Sequence, residues 1–120
     1  MNCYDYWFMN KSWGNWADII PHGWRVTFGE QMVAELAEIL NKYDVADYEI
    51  VQIKEKYGRL CWYDNGVPEE AYKEYSAWLS KYEELSERTC IKCGKPATHF
   101  TKGWIIPLCD DCDGALLARV

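Results

Sequence analysis

The sequence predicts an α+β fold, in which a small antiparallel β-hairpin is packed by two amphipathic helices and followed by a C-terminal zinc-ribbon or treble-clef-like module. Three observations predict it. Apolar residues recur at helical spacing in two segments, a strand–turn–strand pattern lies between them, and four cysteines near the C-terminus form two C-x2-C pairs. We therefore expect residues 1–88 to form an aromatic N-terminal arm plus the α+β domain. Residues 89–120 should form a zinc-binding module packed on that domain.

The first helix is predicted over about residues 29–43, because apolar residues recur there at three- and four-residue steps. Thr27-Phe28-Gly29-Glu30 has the spacing of a capping box, which predicts the helix start. The second helix is predicted over residues 68–87, with Pro68 in its first turn. Both should bury one face on the hairpin. The residues expected in this core are Val33, Leu36, Leu40, Trp78 and Leu79, together with Ile53 and Leu60 of the hairpin.

The hairpin is predicted from two short alternating segments. Residues 49–55 and 59–63 have the pattern of strands, and Tyr57-Gly58 that of the turn between them. Cys61 lies in an apolar strand and is expected to be a small core residue. The aromatic arm has no long period, so we expect a loop there, with a helical turn near residues 15–20. Strict alternation places Val51 and Ile53 on one face of the hairpin, and Ile50, Gln52 and Lys54 on the other.

The C-terminal cysteines have the spacing C-x2-C-x15-C-x2-C. Two such turns can direct four thiolates at one tetrahedral ion, so we expect Zn²⁺ to be bound by Cys90, Cys93, Cys109 and Cys112. Four thiolates leave no open coordination position, which indicates a structural site. Disulfides and a redox dithiol are the alternatives, and His99 could replace one thiolate. Residues 97–101 and 104–108 should form a hairpin between the pairs, and residues 114–119 a short closing helix.

Composition and charge argue against several classes of protein. The net charge of −6 and the pI of about 4.9 disfavour generic binding of duplex DNA. No run approaches the ~20 apolar residues of a membrane span, and the N-terminus lacks the basic region of a secretory signal, so we expect a cytoplasmic protein. The chain has two histidines and neither a phosphate-binding glycine loop nor a nucleophile motif. We therefore expect no enzymatic activity.

The acidic residues concentrate on the two helical segments. Residues 30–47 contain five acids and one base, and residues 69–88 contain six acids and three bases. These acidic faces predict a protein partner with a basic surface, for which the excess of Trp and Tyr would supply interface anchors. The residues expected in this contact are Glu35, Glu38, Glu74, Trp7, Trp13 and Trp16. The alternative is a small zinc-ribbon protein that binds nucleic acid through Lys92, Lys95, Lys102 and Trp104.

Several short motifs together carry a resemblance to a known family. They are Gly23-Trp24-Arg25, then Gln52-Ile53-Lys54-Glu55-Lys56-Tyr57-Gly58-Arg59-Leu60 before Trp62-Tyr63, then Cys90-x-x-Cys93-Gly94-Lys95-Pro96, Gly103-Trp104 and Pro107-Leu108-Cys109-Asp110. Over about residues 23–112 the chain resembles a family of small uncharacterised proteins of bacteria and their phages. In that family a QVKEKFG-LRFY-like hairpin precedes a CxxCG…GW…LC module. Tyr57 stands where Phe is usual, Cys61-Trp62 where Arg-Phe is usual, and Cys112 where relatives can have His.

The resemblance implies an architecture and a context rather than a reaction. The context is a phage or mobile element, and hence a location in the cytoplasm of a bacterial host cell. One concrete form of the protein-binding hypothesis is then a phage-encoded inhibitor of a host nucleic-acid-binding or defence protein.

Overall fold

The computed structural model describes residues 8, 10–11, 14–15, 20–101 and 105–112. Helices pack on a two-stranded antiparallel hairpin, and four cysteines cluster near the C-terminus, which confirms the predicted α+β class. Within the described ranges the strands form three separate antiparallel pairs. These are β1 (Asn10–Lys11) with β2 (Gly14–Asn15), β3 (Glu49–Lys56) with β4 (Arg59–Asn65), and β5 (His99–Phe100) with β6 (Pro107–Leu108).

The first long helix begins earlier than the sequence predicts. It consists of α1 (His22–Trp24), a π-helical segment (Arg25–Gly29) and α2 (Glu30–Lys42). The capping-box prediction is wrong, because residue 27 lies inside the helical run and no side chain caps the start of α2. The physical reason is burial: Trp24 and Phe28 belong to the core, and this packing holds the additional turns in helical form.

The central hairpin has the predicted strands but a different distribution of side chains. Ile50 pairs with Asp64 and Gln52 with Tyr63, so Val51 is an extra residue in β3. Such a bulge shifts the alternation by one position. Ile50 and Ile53 are consequently both buried, whereas Val51 is exposed. The prediction that Val51 shares a face with Ile53 is therefore wrong.

Two further expectations about the core need correction. Cys61 is half-buried rather than a core residue, because it pairs with Lys54 on the outer face of the hairpin, the side turned away from the helices. Leu79 is only partly buried. The other expected core positions are confirmed as buried: Val33, Leu36, Leu40, Ile53, Leu60 and Trp78.

The second long helix begins with a short 3-10 turn (Glu69–Ala71) and continues as α3 (Tyr72–Glu87). Two buried hydrogen bonds fix its position. The indole nitrogen of Trp78 donates to the carbonyl oxygen of Met32 in α2 at 2.9 Å, and the hydroxyl oxygen of Ser86 accepts the backbone N–H of Leu60 in β4 at 3.0 Å. Helix α3 is therefore attached both to α2 and to the hairpin.

A polar network closes the end of the hairpin remote from its turn. One carboxylate oxygen of Asp64 accepts hydrogen bonds from the hydroxyls of Tyr48 (2.7 Å) and Tyr75 (2.5 Å) and from the indole of Trp62 (3.1 Å). Burial, followed by the interaction with Asp64, raises the pKa of Tyr48 and of Tyr75 far above the ordinary value for a phenol. Both hydroxyls therefore remain donors at any physiological pH.

The terminal segments agree with the sequence in part. Strands β5 and β6 confirm the pairing predicted between the cysteine pairs. In the arm, β1 and β2 form a short antiparallel pair where the sequence predicts a loop. The closing helix predicted over residues 114–119 and the helical turn predicted near residues 15–20 lie outside the described residues, apart from residues 15 and 20 themselves.

Replacing Leu36 by Ala should lower the free energy of unfolding by ~2–5 kcal/mol, because the fully buried side chain would leave a cavity. The matched control is Val26→Ala, in the same helical run but 61% exposed, which should change stability by less than about 0.5 kcal/mol. Urea denaturation of the reduced protein measures both. Equal effects of the two substitutions would contradict the packing described here.

Candidate metal centre

Four cysteine side chains converge on one point. The sulfur atoms of Cys90, Cys93, Cys109 and Cys112 all lie within 4.8 Å of one another, and those of Cys93 and Cys109 are 3.5 Å apart. All four are free thiols rather than disulfides. Among the residues that the structure describes, this is the one group of His, Cys, Asp or Glu side chains able to hold a metal ion. The arrangement could hold a metal ion, as the cysteine spacing predicts.

The first cysteine turn is shaped by its own backbone. The N–H of Gly94 donates to the carbonyl of Cys90 at 3.0 Å, and the N–H of Cys90 donates to the carbonyl of Lys95 at 2.7 Å. Gly94 has a φ of 88°, a left-handed conformation that favours glycine. This tight turn places Cys90 and Cys93 on the same side.

The thiols interact strongly with each other and with the surrounding backbone. Burial raises the pKa of Cys90, but backbone N–H groups of Cys93, Cys109 and Lys92 outweigh it and lower that pKa to about 6. The pKa of Cys112 is raised to about 12, by burial first and then by hydrogen bonding with the other thiols. A thiolate at Cys90 thus opposes the ionisation of Cys112. A bound cation would remove this restriction, and the thiols would release protons as they bind it.

The cysteine turn is docked on the start of the first long helix by three hydrogen bonds. The N–H of Gly23 donates to the carbonyl of Ile91 at 2.9 Å, and the indole of Trp24 donates to the carbonyl of Thr89 at 3.2 Å. The hydroxyl of Thr27, in the π-helical segment, donates to the carbonyl of Gly94 at 2.5 Å. The start of the first long helix therefore supports the first cysteine turn of the candidate metal centre.

Two glycines allow this close approach. A Cβ atom on Gly23 would lie 2.6 Å from the carbonyl carbon of Ile91, and one on Gly94 would lie 2.8 Å from the carbonyl oxygen of Gly23. Both distances are shorter than a Cβ atom tolerates, and in each case the obstacle is backbone, which cannot move aside. Sequence patterns did not predict this contact between the two glycines. The signal was nonetheless present in the sequence, since Gly23-Trp24 stands just before the predicted helix and Gly94 follows the first cysteine pair.

The acidic residues expected to contact a partner occupy different environments. Glu35 accepts hydrogen bonds from Lys81 (2.7 Å) and from the hydroxyl of Tyr82, and Glu74 accepts one from Lys42 (2.5 Å). Glu38 is exposed. Two of the three expected glutamates thus join α2 to α3.

These ion pairs lower the pKa of Glu35 and of Glu74. Burial raises the pKa of Glu35, but the hydrogen bonds from Lys81 and Tyr82 outweigh it, and the pKa lies below its ordinary value. The pKa of Glu74 is also lowered, first by the hydrogen bond from Lys42. Both glutamates are therefore ionised at neutral pH and compensated within the chain.

The remaining expected residues are placed only in part. Lys92 is exposed, and the ammonium of Lys95 lies 3.5 Å from a carboxylate oxygen of Asp111. His99 stays outside the cysteine cluster, with Nδ1 at 2.8 Å from the hydroxyl of Thr98. Four expected aromatic residues and one lysine lie outside the described residues: Trp7, Trp13, Trp16, Trp104 and Lys102.

Comparison with known proteins gives no match: no family model, no curated protein and no solved structure matches this chain. Among the described residues, every helix is too short or too polar to cross a membrane.

Replacing Thr27 by Val removes the hydroxyl that bonds to Gly94 and keeps the shape of the side chain. We expect a loss of about 1 kcal/mol in the free energy of unfolding, together with faster amide exchange at residues 22–29 and 90–95. Thr27→Ser retains the donor and should behave like the original protein. Hydrogen–deuterium exchange on the reduced protein measures the difference. Equal protection in both variants would show that this bond does not hold the cysteine turn to the helix.

Proposed function

We propose that the four clustered cysteines bind Zn²⁺ as a structural ion. A tetrahedral ion with Zn–S bonds of ~2.3 Å requires sulfur atoms about 3.8 Å apart. The observed separations, all within 4.8 Å and 3.5 Å for one pair, fit that requirement. Iron also accepts four thiolates, but the C-x2-C…C-x2-C spacing is typical of structural zinc modules. Zinc would neutralise the thiolates and hold the two cysteine turns together.

Protein purified under reducing conditions should contain about one zinc ion per chain. Cys93→Ser should lower the zinc content and loosen residues 89–112, and acidification should release the ion because thiolates must be deprotonated to bind it. Elemental analysis measures the content. Cys61→Ser is the matched control, since Cys61 stands outside the cluster and should leave zinc binding unchanged. A coloured, iron-containing protein, or zinc retained in full by Cys93→Ser, would refute the assignment.

We propose further that the chain is a non-enzymatic binding protein whose acidic helices recognise a basic surface of another protein. The observation that carries this proposal is a set of exposed glutamates that have no cationic partner within the described part of the chain. Glu35 and Glu74 are compensated by Lys81 and Lys42. Five further glutamates on or beside the long helices are exposed, and none forms an ion pair among the described residues: Glu30, Glu38, Glu69, Glu70 and Glu84.

The metal centre supports a binding role rather than a catalytic one. Four thiolates would complete the coordination of the ion and leave no position for a substrate. The ion would instead stiffen a small module that has little core of its own, namely Cys90, Leu108 and Cys109 with a few partly buried neighbours. A rigid surface loses less entropy on association, which favours tight binding.

Two narrower alternatives have unequal support. The form in which the chain is a phage-encoded inhibitor of a host nucleic-acid-binding or defence protein follows from the family resemblance, and the acidic surface is compatible with it. Nucleic-acid binding through the zinc module is less favoured, because Lys95 faces Asp111 and because Asp110 is exposed beside it.

Charge reversal at Glu38 tests the acidic contact. Glu38→Lys should reduce the capture of basic proteins from a bacterial lysate several-fold at ~50 mM salt and only slightly at ~500 mM, because salt screens exposed charges. Quantitative mass spectrometry of the captured proteins gives the result. Glu49→Lys, the same change at the start of β3, is the control and should have little effect. Equal losses in the two variants, or captured proteins that are mainly acidic, would overturn the proposal.

A further inference from the structure

The large apolar side chains that remain exposed are concentrated on one side of the molecule. Among the described residues they are Val26, Val51, Tyr57, Tyr63, Tyr72, Phe100 and Ile105. All except Val26 and Tyr72 lie on the outer face of the β3–β4 hairpin, at its turn, or on the module segments beside that turn. We define the hairpin patch as these five residues together with Lys54 and Lys56. A contiguous patch of exposed apolar side chains is typical of a binding surface.

The hairpin patch carries positive charge in an acidic chain. The ammonium of Lys54 lies 5.5 Å from the ring centre of Tyr63, and that of Lys56 lies 6.0 Å from the ring centre of Tyr57. Neither lysine has an ion-pair partner among the described residues. Arg59 is paired with Glu87 at 2.6 Å and adds no free charge. The patch therefore presents two repeats of an aromatic ring with an adjacent cation.

The turn of the hairpin holds Tyr57 in an unfavourable conformation. Tyr57 has a φ of 54° and Gly58 a φ of 80°, the left-handed pair that a two-residue turn between antiparallel strands requires. The first of these positions favours Asn, Asp or Gly, and a bulky side chain is disfavoured there. The Tyr57 side chain is also 73% exposed, so burial contributes little in compensation. A strained and exposed aromatic residue is typical of a functional position.

The aromatic surface continues from the turn onto the module. A Cβ atom on Gly58 would lie 2.9 Å from the ring of Phe100 and 3.2 Å from the carbonyl oxygen of Ile105. Phe100 and Ile105 are nevertheless 43% and 40% exposed. The hairpin turn and the module segments thus abut and form one continuous surface.

We propose that the hairpin patch binds single-stranded nucleic acid. Each ring-plus-ammonium unit matches one nucleotide, because the flexible lysine ammonium that lies over the ring can move onto the phosphate while the base stacks on the ring. Lys54 and Lys56 are two residues apart on one strand, or ~6.6 Å, which is close to the phosphate spacing of an extended single strand. An acidic polypeptide would use the two charges but would have no planar groups to stack on the exposed rings.

The charge distribution of the chain restricts this binding to one side. The exposed glutamates of the long helices repel phosphate, so a nucleic-acid strand is favoured only on the opposite, hairpin side. A duplex would conceal the faces of its bases from the rings and would bring twice the phosphate charge. The proposal is independent of the acidic protein contact, since the two use different residues.

The proposal is tested by fluorescence anisotropy at ~50 mM salt. The labelled probes are single-stranded oligo(dT) and oligo(U) of 15 nucleotides and a double-stranded DNA of 15 base pairs. The zinc-loaded chain should bind the single strands better than the duplex. Lys54→Glu with Lys56→Glu should weaken that binding at least tenfold. Lys54→Glu alone should weaken that binding several-fold, and its matched control is Lys73→Glu on α3, which reverses one charge away from the patch and should have an effect of less than twofold.

Tyr57→Asn separates binding from folding. Asn tolerates the left-handed conformation better than Tyr, so the urea midpoint should stay the same or rise, while the affinity for oligo(dT) should fall about tenfold through loss of one stacking contact. Binding that is absent in the original protein, retained in the double lysine variant, or lost equally in Lys73→Glu would overturn the proposal. Tighter binding of poly-L-glutamate than of oligo(dT) would overturn it too. None of these results would affect the Glu38 comparison.

Discussion

The backbone contact between the first cysteine turn and the start of the long helix is the constraint on which the rest of the structure depends. Gly23 and Gly94 meet there with no room for a Cβ atom on either, and the indole of Trp24 reaches across to Thr89. Because Trp24 is also fully buried in the main core, one short stretch of helix contacts both the cysteine turn and that core. Its position fixes the direction of α2, and α2 in turn positions α3 through the Trp78–Met32 hydrogen bond.

Local patterns in the sequence predict much of this fold. The period of the apolar residues is sufficient for α2 and α3, and alternation with a Tyr57-Gly58 turn is sufficient for the hairpin, because each depends on residues close in sequence. The cysteine spacing likewise identifies the candidate metal centre. What the sequence does not reveal depends on distant partners. Thr27 fits a capping box locally, but its hydroxyl bonds to Gly94 instead, 67 positions away. The bulge at Val51 requires knowledge of the facing strand.

The pairing of surface charges also depends on residues that are distant in sequence. Counting acids along the sequence correctly identifies acidic helical segments, but it cannot tell which carboxylates are compensated. Glu35 and Glu74 are paired across α2 and α3, whereas Glu38, on the same helix as Glu35, is not. Similarly, alternation along β3 predicts that Lys54 and Lys56 share a face, but only the pairing of β3 with β4 shows that Tyr63 lies on the same face. The chain thus exposes unpaired glutamates on its long helices and two lysines without an ion-pair partner, among the described residues, on the outer face of the hairpin.

Ile91 packs against both hydrophobic clusters, the main core and the small core of the cysteine module. The shared residue couples the two clusters thermodynamically, because neither cluster can open without exposing part of the Ile91 side chain. With the proposed zinc ion bound, the metal affinity and the free energy of unfolding would be linked. A chelator titration would therefore report the stability of the hydrophobic core, and a core substitution distant from every sulfur would register as a change in the free-metal concentration at half occupancy.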